Sequence, residues 1–156
     1  MAKEKKLRVG VIGLGMGRGH VMGYQQHPEA EVVAVADLDE ERLEKVAEEL
    51  QVEKRYGSGE QMLEEEDLDV VSVATPNKFH KPLTIGALEA GCHVLQEVYL
   101  ADTVAGCRAI FDAVRARPRQ CFMLAENCCY WAHILSWKEM YEQRVVGDLV
   151  YAEAEY

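Results

Sequence analysis

No block of basic residues occurs in the 156-residue sequence: 17 Lys and Arg stand against 27 Asp and Glu, a formal net charge of −10. A chain that neutralises nucleic-acid phosphates needs clustered cations, so nucleic acid is not an expected partner. Nor is there an apolar run near the roughly 20 residues that span a bilayer. The start, Lys3-Glu4-Lys5-Lys6, leads into a short glycine-rich stretch without a small-residue cleavage site, which is not a secretion signal. No membrane and a cytoplasmic setting are expected. Cys-x-x-Cys spacing is also missing. The five cysteines are Cys92, Cys107, Cys121, Cys128 and Cys129. The first three fall inside apolar patterns, and adjacent Cys128 and Cys129 point to opposite sides of an extended chain. They read as small core residues in a reducing compartment, and no metal is expected.

The chain does concentrate its glycines in one place. Val9 to Ile12 is a short β-branched run, and it breaks into Gly13, Gly15, Gly17 and Gly19. A buried strand that stops in a glycine-rich turn ahead of a helix is the shape a backbone takes to meet a pyrophosphate. Plain tight turns share this pattern, so the stretch by itself leaves nucleotide binding as one of two readings.

The periodicities beyond it alternate. Helical patterns are predicted at Arg18 to Gln26, after Asp39 (apolar Leu43, Val46, Ala47, Leu50), after Ser58 with Gln61 in a capping-box pattern, at Pro82 to Ala90, and after Thr103. Buried-strand patterns are predicted at Glu31 to Ala36, Lys54 to Tyr56, Asp69 to Ala74, Cys92 to Gln96 and Gln120 to Ala125. Strands of this length alternating with helices give an α/β fold, a doubly wound parallel sheet. Function in such sheets gathers at the carboxyl ends of strands. Those ends are Gly13–Gly17, Asp37, Thr75–Asn77, Glu97 and Glu126–Asn127. Asp37 stands where an acid would accept hydrogen bonds from an adenosine ribose; its other reading, starting the next helix, is already filled by Asp39. The next residue is Leu38, so no arginine follows the acid in sequence, and NAD is expected ahead of NADP.

The last thirty residues read differently. Tyr130, Ile134, Trp137, Tyr141 and Val145 make an aromatic stripe at helical spacing, Gly147-Asp148 a turn, and Leu149 to Tyr156 an alternating, half-buried strand. The predicted organisation is a dinucleotide-binding domain over residues 1–127, then a linking helix and one strand over 128–156. An unpaired strand and aromatic helix invite a second copy, so a homo-oligomer through residues 128–156 is a further expectation.

In order, the motifs are the glycine turn, Asp37, Ala74-Thr75-Pro76-Asn77-x-x-His80, Ala87 to Gly91 followed by His93-Val94-Leu95-x-Glu97, and Gly147-Asp148-Leu149-Val150. This order resembles the Gfo/Idh/MocA oxidoreductases over nearly the whole chain, but only the amino-terminal half of a typical member. The resemblance implies a Rossmann fold binding NAD or NADP, followed by a larger sugar- or polyol-holding domain whose first strand is Leu149 to Tyr156. It also implies hydride transfer between nicotinamide and a hydroxyl-bearing carbon. By position, Gly13, Gly15, Met16 and Gly17 would meet the pyrophosphate, and Asp37 and Leu38 the adenosine ribose. Ala74, Thr75, Pro76, Asn77 and His80 would line the nicotinamide side, and Glu97 its ribose.

Three departures qualify this. The glycine motif is one residue short, which predicts a tighter turn. The family's Glu-Lys-Pro is here Glu97-Val98-Tyr99, and valine cannot move the proton that the lysine handles. The substrate domain is absent, so a sugar or polyol partner is expected only where that domain is supplied. Residues able to handle a proton are His80, Tyr99 and His133, each with a structural reading beside it. The alternative is a non-catalytic dinucleotide-binding module.

Overall fold

The computed structural model describes residues 5–153 and 155. Its six strands are β1 (Leu7–Ile12), β2 (Ala30–Ala36), β3 (Lys54–Tyr56), β4 (Val70–Val73), β5 (His93–Gln96) and β6 (Phe122–Leu124). The helices are α1 (Leu14–Gln26), α2 (Glu40–Glu49), α3 (Gly59–Glu65), α4 (His80–Glu89), α5 (Val104–Arg115) and α6 (Ala132–Glu142). All strands are parallel in the order β3-β2-β1-β4-β5-β6. The chain is an α/β Rossmann fold. Strand order reverses beside β1, which opens a crevice at the carboxyl ends of β1 and β4.

The sheet forms because its central strands are apolar on both faces. Val9, Val11 and Val35 pack with Leu14 and Val21 of α1 and Leu43, Val46 and Ala47 of α2. Ile12, Val71, Val73 and Val94 pack with Met62 of α3 and Leu83, Ala87 and Leu88 of α4. Each such valine, buried on a strand with neighbours on both sides, contributes on the order of 1.5–3 kcal/mol. The helix starts are those the sequence announces. Asp39 accepts from the Arg42 amide, Ser58 from Gln61 and Thr103 from Gly106. Gln61 does not reach back to complete the box at Ser58; its amide bonds Glu65. A carboxylate cluster pins the β3 edge, where Glu66, with its side chain 4% exposed, takes Lys54 at 2.7 Å and the Tyr56 hydroxyl at 2.6 Å.

Two expectations are corrected. The first helix begins at Leu14, not Arg18, because only Gly13 is spent on the turn; Gly15, Gly17 and Gly19 lie within the helix. Cys121, read as a core residue, is exposed beside the short edge strand β6, whereas Cys92 is buried and Cys107 half-buried. Burial and the nearby Asp69 and Asp67 push the Cys92 thiol up to about 11.

The chain divides into two compact units, Met1–Ala125 and Glu126–Tyr156. The second holds a short 3-10 turn at Asn127–Tyr130, α6, and a turn at Gly147 with φ +73°. Helix α6 buries none of its residues. The terminal strand expected over 149–156 is absent among the described residues, with 149–153 and 155 irregular, while Ala154 and Tyr156 lie outside them. A strand needs a partner to satisfy its backbone, and none adjoins residues 149–153 among the described residues.

Candidate functional site

The strand ends meet in one cavity of about 720 Å³. Gly13, Gly15 and Met16 line it after β1, Asp37 and Leu38 after β2, Ala74, Thr75, Pro76 and Asn77 after β4, and Glu97 after β5. Gly13 makes the turn with φ +87°, and a Cβ there would stand 2.6 Å from the Ala74 carbonyl oxygen. Only glycine fits that conformation and that approach. The N-cap Gly13 gives helix α1 no side-chain cap, its first turn carries no acid of its own, and Asp37 takes only the Leu14 N–H. The first-turn N–H groups at Gly15 and Met16 are left for an anion at the positive end of the helix dipole. At the other end of the cavity the Thr75 hydroxyl oxygen is buried without a hydrogen-bond partner among the described residues. A dinucleotide fits both features, an anion at the helix start and a polar group beside Thr75.

Asp37 is the most heavily used side chain here. Its Oδ2 accepts from the Leu14 N–H at 2.7 Å and from Arg42 Nε at 2.9 Å. Its Oδ1 accepts from the Asp39 N–H at 2.9 Å and from Arg42 Nη2 at 3.3 Å. Four donors fill the four lone-pair positions of a carboxylate. Burial acts to raise this carboxyl's pKa, but the Arg42 guanidinium and the two amides outweigh it and hold the group below its ordinary range. The absence of an arginine after Asp37 in sequence is thus corrected in space. Asp39 caps α2, and the helix's first turn swings Arg42 back over the acid.

Glu97 is held by residues that lie outside the cavity lining. His20 Nε2 lies 2.9 Å from Glu97 Oε1, and His20 Nδ1 lies 2.6 Å from the buried Ser72 hydroxyl. Arg42 was not singled out from the sequence, since it comes to the site from a helix face; His20 closes the shortened glycine motif, Gly13-x-Gly15-x-Gly17-x-x-His20, but carried no assigned role.

Two residues expected to face the cofactor do not line the cavity. Gly17 lies on the buried face of α1, where a Cβ would stand 2.9 Å from Val11 and 3.3 Å from Ala74. Its service is to let the helix lie close on β1. His80 is fully buried, with Nδ1 2.6 Å from the Tyr99 carbonyl and Nε2 2.7 Å from the Thr75 carbonyl. Beside it the buried Gln96 amide donates to the carbonyls of Glu97, Tyr99 and Leu100, and Gln96 Oε1 accepts from Thr84. This buried polar knot fixes the backbone that follows β4 and β5, and so the cavity wall. The Tyr99 ring is exposed, and His133 lies in the second unit between the rings of Trp131 and Trp137. Neither belongs to the cavity lining.

The profile of the family described as "Oxidoreductase family, NAD-binding Rossmann fold" (GFO_IDH_MocA) matches residues 7–125. A curated relative, "Glycosyl hydrolase family 109 protein" of Shewanella pealeana, is 33% identical over 99% of this chain and 36% of its own length. A second, "Alpha-N-acetylgalactosaminidase" of Shewanella oneidensis, is 31% identical over 99% of this chain and 36% of its own length. Among solved structures, myo-inositol 2-dehydrogenase from Lactobacillus plantarum superposes with a TM-score of 0.90 at 28% identity, over 94% of this chain and 44% of that one. The chain spans little more than a third of the length of these curated relatives. With its parallel sheet, glycine turn and single cavity of strand ends, this chain belongs to the Gfo/Idh/MocA oxidoreductase family, as its NAD-binding Rossmann part.

Proposed function

We propose that this chain is the NAD(H)-holding part of an oxidoreductase that moves a hydride between nicotinamide and a hydroxyl-bearing carbon of a sugar or polyol. The observation that carries this reading is the convergence of Gly13, Gly15, Met16, Asp37, Thr75 and Glu97, from four strand ends, on one cavity. The first-turn amides of α1 would bind the pyrophosphate. Asp37 would take the adenosine ribose hydroxyls. Thr75 and Glu97 would face the nicotinamide end, where the bound cofactor supplies the hydride acceptor or donor. The polyol substrate is supported by the name of the inositol dehydrogenase neighbour.

NAD(H) is the proposed cofactor ahead of NADP(H), because the depressed Asp37 carboxyl keeps a negative charge where a 2′-phosphate would sit. Arg42 softens that choice. Turnover needs a substrate held roughly 3–3.5 Å from the nicotinamide, and Val98 offers no proton-handling group beside Glu97. These residues alone are therefore proposed to bind the cofactor without turning over.

A second reading is favoured by the relatives' names, which are those of glycoside-cleaving proteins. On it, the chain is the cofactor half of an enzyme acting on a glycosidic bond. Titration with NADH, followed by nicotinamide fluorescence, tests the shared claim; no saturable binding of NADH or NADPH at millimolar concentration refutes both readings. A polyol panel with NAD+, read as NADH absorbance, and an aryl α-N-acetylgalactosaminide, read as released phenol, separate the two in any longer protein carrying this part.

A further inference from the structure

We propose that His20 is a positioning residue for Glu97, and that the two act as one unit at the nicotinamide end of the cavity; this rests on the cofactor reading above. His20 stands on α1 and Glu97 just past β5, 77 residues later, and the two meet at 2.9 Å with Glu97 in the cavity lining and His20 outside it. Both side chains are mostly buried, 16% and 19% exposed. A contact so placed is held by the fold on both sides, unlike a surface pair between two free side chains.

The hydrogen-bond directions follow from the groups. An ionised carboxylate only accepts, so His20 Nε2 carries a proton and donates it to Glu97 Oε1. The Ser72 hydroxyl, 2.6 Å from Nδ1, is free to donate to that nitrogen. The Ser72 and His20 donors then both point toward Glu97. The second carboxylate oxygen lies 3.3 Å from the Val98 N–H. The carboxylate is thereby fixed through both oxygens, with its remaining lone pairs available to the cavity it lines.

The arrangement matters because, among the cavity-lining residues contributed after β4, in α4 and after β5, Glu97 alone carries a charge. An unsupported carboxylate on a flexible side chain loses rotamer freedom on meeting a ligand; one already oriented does not.

The test uses the full chain and two variants, His20→Ala and His20→Gln, with NADH titrated by nicotinamide fluorescence and folding followed by circular dichroism. His20→Ala is expected to bind NADH about tenfold more weakly, the scale of one hydrogen bond to a charged group. The glutamine amide nitrogen can stand where Nε2 stands and donate to Glu97, so His20→Gln is expected to bind within about twofold of the parent. A folded His20→Ala that binds like the parent overturns the proposal, as does a folded His20→Gln that binds as poorly as the alanine variant.

Nitrogen-15 NMR of the ligand-free imidazole gives an independent readout. The proton is expected on Nε2, and its resonance is expected to move in Glu97→Gln. If His20→Ala does not fold, the glutamine variant and this resonance decide. Should the parent bind neither NADH nor NADPH, the cofactor reading falls and the pair is judged by NMR alone. There, an Nε2 without its proton, or one indifferent to Glu97→Gln, overturns it as well.

Discussion

Asp37 and Glu97 occupy equivalent positions, each the first acid beyond a parallel strand and each lining the same cavity, yet they are prepared in opposite ways. Asp37 is saturated, with two backbone amides and a bidentate Arg42 using every lone pair. Glu97 receives one imidazole and one backbone amide and keeps the rest of its capacity for the cavity. A ribose reaching Asp37 must therefore displace Arg42, a 44% exposed side chain with room to leave. A ribose reaching Glu97 displaces nothing. One end of the site is guarded by a movable cation; the other is set in advance by a buried histidine.

The strongest way to break the comparison is to remove the turn that joins both ends. Gly13→Val places a branched side chain at φ +87° and against the Ala74 carbonyl. It is expected to cost about 3 kcal/mol or more of stability and to abolish cofactor binding, seen as a fall in Tm and a flat NADH titration. Next in size is Asp37→Ala, which strips two amides and Arg42 of their acceptor. NADH affinity is expected to fall about 10- to 100-fold, more than for His20→Ala, and equal losses would erase the distinction between the ends.

The pH dependence follows from two depressed carboxyls, at Asp37 and Glu66. A carboxyl held lower in the folded than the unfolded chain binds fewer protons when folded. Its stabilisation is present above the ordinary carboxylate range and is lost as pH falls through the depressed value. Asp37 and Glu66 both lie below their ordinary values. In each, burial alone would act the other way. It is outweighed at Asp37 by Arg42 and the amides, and at Glu66 by Lys54, Tyr56 and Arg8. Stability measured by urea midpoint should thus fall below about pH 4, and Asp37→Ala should flatten that acid limb. The smallest expected effect is that of Arg42→Ala. Freeing Asp37 of the partly exposed Arg42 guanidinium should leave NADH affinity unchanged or raise it by up to about fivefold, with NADPH affinity reduced. A clear loss of NADH affinity would show that the guanidinium serves the cofactor directly.

Much of this was readable from residue order. The parallel sheet, the caps at Asp39, Ser58 and Thr103, and the strand ends at Asp37, Thr75 and Glu97 follow from periodicity and local chemistry, which act over a few residues. What escaped depends on contacts between distant segments. The glycines of α1 read as loop, because helix formation there is decided by the packing of Gly17 on Val11 rather than by propensity. Arg42 is invisible beside Asp37 until Asp39 starts a helix that turns it back. His80 looked like a site residue, since nothing in its own segment reveals that the carbonyls of Thr75 and Tyr99 claim both ring nitrogens. The strand expected at the end of the chain shows the converse: alternation supplies a face but not the neighbour a strand requires.

The most direct test of the central claim, that these strand ends are a dinucleotide site, is an amide NMR titration of the chain with NADH. The account predicts shifts at Gly13, Gly15, Met16, Asp37, Ala74, Thr75, Asn77 and Glu97, with little change at Gly91 or in β6. Shifts gathered instead around Leu7, His27 and Leu95, which line a separate cavity of about 420 Å³, would contradict it.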